Sequence, residues 1–245
     1  MTLEVFKEKC GYEIDGVWLP RVTSILSSSF SMWPGLNQAA AWGTMMHEAV
    51  QGILRGDQER IDAKLTISIE EFRKWYKEHP LHLFDPAKDI EKRVSDIKNR
   101  YAGTIDVVAE FDGRVGIIDI KTSTKIPREH LLQTAAYLNA YNANCEKGKA
   151  CETRWILRID QYQECMGCLA KRREKYGRAR TSEGNPLCNH QWSLTKGEVE
   201  WKELENYEKD LAAFFARRDR WEQKHEEWLQ KIPNYPRNNK QSVLI

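Results

Sequence analysis

Asp106, Asp119 and Lys121 are the residues of this chain whose types and spacing point most directly to chemistry. They lie in YAGTIDVVAEFDGRVGIIDIKTS, where two segments rich in β-branched residues, 103–111 and 114–121, flank Asp112-Gly113. Asp-Gly between such runs is the strongest short signal for a two-residue hairpin turn. Counting outward from that turn sets Asp106 opposite Asp119. Directly opposed side chains have Cβ atoms about 4.5–5.5 Å apart, and like charges there are destabilising. Asp119 and Lys121 are two apart, so they project from one sheet face, beside Val108, Val115 and Ile117. A divalent cation between the carboxylates removes the repulsion, and hard oxygen ligands suit Mg²⁺ or Mn²⁺. A lysine beside it can orient a water and offset charge on a phosphate, which is metal-assisted hydrolysis of a phosphodiester. The bland alternative is a hairpin with one solvated face. Gly116, Ile117, Ile118 and Ile120 oppose it, because they make the Asp119 strand read as buried on both sides.

The elements around the hairpin follow from pattern. Residues 18–26 read as a short strand or turn into a helix start, and 36–55 as a helix containing Gly43. Residues 68–79 read as a helix capped by Ser68, with Glu71 three residues on, and ended by His79-Pro80. Residues 128–144 read as a helix and 153–160 as a strand, with 189–194 its candidate hairpin partner. A charged helix over 198–232 follows, with Trp201, Leu204, Leu211, Phe214, Phe215, Trp221 and Trp228 loosely on one face. The tail PNYPRNNKQSVLI reads as loose. This order predicts an α/β core around a mixed sheet, over 1–245 as a single domain.

The same residues resemble a known family. Gly103-x-x-Asp106, Asp119-x-Lys121 and Gln133-x-x-x-Tyr137, preceded by Gly43-Thr44-x-x-His47, resemble the RecB-like branch of the PD-(D/E)XK nucleases. The longer string around the hairpin, with LPRVTSIL (19–26), is most similar to the group of the mitochondrial genome maintenance exonuclease and its bacterial and phage relatives. The resemblance covers about residues 18–160. It implies a restriction-endonuclease-like core, a mixed sheet flanked by helices, and a Mg²⁺- or Mn²⁺-dependent deoxyribonuclease acting as an exonuclease on single-stranded DNA ends. It implies that Asp106, Asp119, the Ile120 carbonyl and His47 are metal ligands, that Lys121 acts on the water or the scissile phosphate, and that Gln133 and Tyr137 line the site. An upstream glutamate joins the site in some relatives, and Glu91 is the nearest candidate. The alternatives are a CRISPR-adaptation-type or recombination nuclease working in a complex, and an inactive nuclease fold that binds DNA. The intact Asp106, Asp119 and Lys121 oppose the last. His47-Glu48 also begins a zinc-protease motif, but that motif needs a second histidine where Gln51 stands.

Cys165-x2-Cys168 and Cys188-x-His190 fall within an insertion at 162–190. Two close ligand pairs separated by a loop follow the logic of a zinc site. An iron–sulfur cluster, with Cys10 as an early ligand, is the second reading, and no metal the third. Between the pairs runs KRREKYGRAR (171–180), with Glu174 its sole acid. Lys171, Arg172, Arg173, Arg178 and Arg180, with Tyr176, form either a solvated loop or a DNA-gripping element.

Composition sets the frame. Of 245 residues, 41% are hydrophobic and 30% charged, enough to bury a core. Lys and Arg number 38 against 36 acids, so attraction to nucleic acid must be local rather than global. No apolar run approaches the roughly 20 residues of a membrane helix. MTLEVFKEKCGYEID lacks the apolar stretch of a secretory leader. An intracellular, cytoplasmic protein of a prokaryote or virus-infected cell is the expectation, with its six cysteines reduced or metal-bound rather than in disulfides.

Overall fold

The computed structural model describes residues 1–27, 34–57, 61–146, 148–175 and 179–237, with the side chains of 34–39 excepted. The chain opens with α1 (Leu3–Cys10), the hairpin of β1 (Gly11–Ile14) and β2 (Val17–Pro20), and α2 (Val22–Leu26). Next come α3 (Pro34–Arg55), α4 (Thr66–Glu78) and the single turn α5 (Pro86–Asp89). β3 (Ile90–Asp96), β4 (Tyr101–Phe111) and β5 (Arg114–Lys121) form an antiparallel meander. After α6 (Arg128–Asn144), β6 (Thr153–Glu164) returns parallel to β5. β7 (Lys171–Arg173), β8 (Arg180–Ser182), β9 (Lys196–Glu203), α7 (Tyr207–Lys224) and α8 (Glu226–Leu229) complete the chain.

The result is a seven-stranded mixed sheet of order β3-β4-β5-β6-β7-β8, with β9 also paired to β6. One core joins Phe6, Trp18, Tyr101, Ile117, Leu132, Phe214 and Trp221 on the α6–α7 side, and a second joins Trp42, Met46, Leu54, Phe72, Ile118 and Ile120 on the α3–α4 side. Helices therefore cover both faces, as the near-continuous apolar run of β5 requires. No described helix is long and apolar enough to cross a membrane.

Several expectations are corrected. Residues 196–203 are a strand, not the start of a helix: Val199 and Trp201 alternate with charged residues and β9 pairs with β6 along its whole length. The C-terminal helix begins only at Tyr207, behind Asn206 in a left-handed conformation, and breaks again at His225. The hairpin partner of β6 is this strand rather than 189–194, which contributes a single bridge, Cys165 to Trp192. Ser68 does not cap α4. The helix starts two residues earlier, and the buried Ser68 hydroxyl donates instead to Gln161 Oε1 at 2.7 Å. The tail is docked as far as Arg237: Ile232 and Tyr235 are buried, Trp18 N–H donates to the Asn234 carbonyl, and Tyr235 Oη donates to Glu222. Part of the 162–190 insertion is regular, since β7 pairs with the end of β6 and β8 pairs with β7.

Candidate active site

Asp112 and Gly113 both take positive φ, as a two-residue turn that matches strand twist demands. From that turn β4 and β5 pair in the expected register, Phe111 with Arg114 through to Val107 with Ile118. The ladder stops one step before Asp106 and Asp119 would meet. On the other side of β4 the ladder also omits residue 106: Ile90 pairs with Val107 and Lys92 with Ile105, leaving Glu91, in a left-handed conformation (φ 53°), facing Asp106. Asp106 thus sits where both ladders lapse. Alternation fails at the same place, because Ile105 packs into the α6–α7 core and Val107 into the α3–α4 core.

The Asp106 carboxylate takes over a ladder position. Its Oδ2 accepts the Ile120 amide at 2.6 Å. Its Oδ1 lies 3.6 Å from His47 Nδ1, and His47, Glu91 and Asp106 each bring a ligand atom to within 4.8 Å of the others. The Ile120 backbone lies near enough to the His47 ring to favour its protonated form, which places it in the same space. His47 comes from α3, and Gln51, one turn on, donates from Nε2 to Glu91 at 2.5 Å.

Lys121 Nζ is 2.8 Å from each Asp119 oxygen, but its aligned hydrogen bond goes to Oδ1 alone. Asp119 Oδ2 is buried and has no hydrogen-bond donor. Burial pushes both Asp106 and Asp119 up to about 6, against the pull of Lys121. Lys121 is pulled down by burial, but Asp119 and Asp106 more than offset this and hold it above its ordinary value. Burial, then Lys121, keep His47 below the usual imidazole value. His47, Glu91 and Asp106 gather beside the Asp119–Lys121 ion pair, and this donor set of carboxylates and an imidazole fits a hard divalent cation.

Gln133 and Tyr137 share one face of α6, with Gln133 Nε2 donating to Tyr137 Oη at 3.0 Å. Tyr137 packs flat on Gly103, where an added Cβ would lie 2.2 Å from the ring Cε1. That contact explains why glycine precedes Asp106 by three: only a bare backbone leaves room for the tyrosine ring. The LPRVTSIL segment supplies Leu19, Val22, Ile25 and Leu26 to buried positions, and Arg21 stacks on Tyr12 with its guanidinium 4.4 Å from the ring. Sequence reasoning missed His130. It stands one turn before Gln133, its Nδ1 is buried without a partner, and burial and Lys121 push it down to about 4. Its spacing from Gln133 and Tyr137 on one helical face was the available signal.

The family model of the PD-(D/E)XK nuclease superfamily matches residues 31–241, spanning the sheet, α3, α6 and the insertion. The chain belongs to the PD-(D/E)XK nuclease superfamily. A search of curated proteins finds no match. As a PD-(D/E)XK protein the chain belongs among phosphodiesterases that use divalent metals and bind nucleic acid.

This PD-(D/E)XK core carries a second cluster in its insertion. Cys165, Cys168, Cys188 and His190 bring their ligand atoms within 4.8 Å of one another. Cys10 is not among them: it is buried in the α6–α7 core beside Phe6 and Trp18, which removes it as an early cluster ligand. All six cysteines are free of disulfides. The basic run is less free than a solvated loop. Arg173 is buried and donates to Asp160 Oδ2 at 2.8 Å, so it turns inward. Lys171 lies over the Tyr162 ring, Arg172 lies over Trp192, and Arg180 is exposed on β8. Arg178 and Tyr176 lie outside the described residues.

Proposed function

We propose that the protein is a Mg²⁺- or Mn²⁺-dependent deoxyribonuclease of the RecB-like branch, acting as an exonuclease on single-stranded DNA ends. The observation that carries the metal-dependent part is the gathering of ligand atoms of His47, Glu91 and Asp106 within 4.8 Å of one another, with Asp106 bonded to the Ile120 amide next to Asp119. The motifs from His47 to Tyr137, in RecB-like order, support the exonuclease part.

In this reading His47, Asp106 and Glu91 would hold the cation, joined by Asp119 and the Ile120 carbonyl. When bound, the cation polarises a phosphodiester oxygen and makes water a better nucleophile. Lys121 keeps its ammonium beside Asp119 and offsets negative charge that grows on the phosphate in the transition state. The Asp106–Ile120 hydrogen bond fixes the backbone between Asp119 and Lys121, so both side chains are aimed without further reorganisation. Gln51 holds Glu91, and Gln133 orients the Tyr137 hydroxyl. Lys171, Arg172 and the exposed Arg180 would meet the phosphate backbone.

The test is cleavage of end-labelled single- and double-stranded DNA, linear and circular, with Mg²⁺, Mn²⁺ or EDTA. Stepwise shortening of linear single strands with either metal, with circles spared and EDTA abolishing cleavage, is the expected result. Equal cleavage of circles would overturn the exonuclease reading, and undiminished cleavage in EDTA would overturn the metal-dependent one.

A further inference from the structure

The 165–193 lobe has almost nothing with which to fold. Among its described residues only Cys165, Ala170 and Arg173 are buried, while Met166, Leu169 and Leu187 are exposed. A segment with no apolar core cannot offset its ordering entropy by burial. Yet it is laid out in two tight turns whose tips meet. In the first turn, Leu169 N–H donates to the Cys165 carbonyl, Cys165 N–H donates to the Ala170 carbonyl, and Leu169 takes a left-handed φ of 61°. In the second, Cys188 N–H donates to the Asn185 carbonyl at 3.1 Å, and the His190 ring packs on Trp192. Met166 N–H donates to the Gln191 carbonyl and joins the two turns.

Two opposite edges of the cluster have tetrahedral lengths. Cys165 Sγ and Cys188 Sγ are 3.8 Å apart, and Cys168 Sγ and His190 Nδ1 are 3.4 Å apart. Zinc bonded to sulfur at about 2.3 Å and to nitrogen at about 2.0–2.1 Å gives tetrahedral edges of roughly 3.8 Å for S···S and 3.6 Å for S···N. A disulfide needs sulfurs at about 2.05 Å. An iron–sulfur cluster, several atoms across, needs its thiolates spread further.

We propose that Cys165, Cys168, Cys188 and His190 bind one zinc ion, and that this ion is the staple of the lobe and keeps its basic arm docked on the nuclease core. The arm is short and specific. Arg173 and Lys175 both reach Asp160, a fully buried carboxylate on β6, at 2.8 Å. Lys175 Nζ also donates to the carbonyl of Thr122, the residue after Lys121. Fixing the turns at Cys165 and Cys188 fixes β7 and β8 between them, and with β7 the approach of Lys175 to the end of β5.

The test needs no nuclease activity. Wild-type protein purified without chelator should carry about one zinc per chain by elemental analysis and be colourless. Growth on cobalt should give the intense visible absorption of a thiolate-bound tetrahedral ion. Stripping by chelator, followed by excess Mg²⁺ to refill the oxygen-rich site, should open protease cleavage within 165–193 and leave the rest of the chain protected. Zinc should restore protection. Cys165→Ser should show the same cleavage while its Mn²⁺-induced rise in Tm persists. Protein with neither zinc nor cobalt uptake overturns the site, as does a brown protein containing iron. One bound zinc whose removal leaves the lobe protected overturns the staple.

Discussion

Asp106 Oδ2 lies 2.6 Å from the backbone amide of Ile120, the residue between Asp119 and Lys121. A carboxylate at a gap in one strand thereby holds the backbone that presents the acid and the base of the next. This contact separates two functions of Asp106. Asp106→Asn keeps an oxygen that can accept the amide, whereas Asp106→Ala leaves the amide buried and unpaired, a loss of about 1–3 kcal/mol. Urea unfolding without metal should find the asparagine variant at least as stable as wild type and the alanine variant less stable than the asparagine variant by that amount. Both should lose at least about 10²-fold in cleavage rate. Equal stability of the two variants contradicts the role of the hydrogen bond.

Burial holds Asp106 and Asp119 at about 6 in the folded protein, against about 3.9 for an unfolded aspartate. The folded state therefore binds more protons than the unfolded chain between pH about 4 and 6, and rising pH removes stability across that window. The metal-free wild type should lose stability there relative to an Asp106→Asn, Asp119→Asn variant. A cation takes the deprotonated pair, so the rise in Tm with Mn²⁺ should shrink as pH falls through about 6. Thermal melts across pH, with and without Mn²⁺, check both trends. A pH-independent Mn²⁺ effect would remove the pair as ligands.

Gly103→Ala should displace Tyr137, because the new Cβ falls 2.2 Å from a ring carbon. Overpacking of this kind costs about 1–3 kcal/mol. Since Tyr137 is within electrostatic reach of Asp119 and Asp106, cleavage should fall by more than the loss of folded protein explains. Gly103→Ala with Tyr137→Leu should recover much of the stability without recovering activity. A single variant with wild-type stability and rate would show that the contact is inessential.

The hairpin was legible because a two-residue Asp-Gly turn leaves one register, and that register runs from Phe111–Arg114 to Val107–Ile118. Its interruption at Asp106 was not legible, since it depends on a side chain accepting a backbone amide. Glu91 was uncertain for the same reason: its place comes from a ladder gap and a left-handed backbone. The cysteine quartet was legible from spacing alone. β9 was hidden because Trp201 and Leu204 also suit a helical face, and its charges at an exposed edge mimic a solvated helix. Arg173 read as part of a basic surface because nothing in the sequence ties it to Asp160, its buried partner. Ile232 and Tyr235 were lost among prolines and polar residues that look like a free tail.

In the proposed function one metal-dependent site, built from Asp106 and Asp119 and served by Lys121, cuts DNA. The most direct measurement pairs two readouts on wild type, on Lys121→Ala and on the Asp106→Asn, Asp119→Asn double variant: Mn²⁺-dependent cleavage of end-labelled single-stranded DNA, and the Mn²⁺-induced rise in Tm. Wild type should show both. Lys121→Ala should keep a rise in Tm and lose cleavage. The double variant should lose both while its metal-free Tm equals or exceeds that of wild type, because a repelling buried pair has been neutralised. Wild-type cleavage in either variant, or an undiminished Mn²⁺ shift in the double variant, contradicts the account.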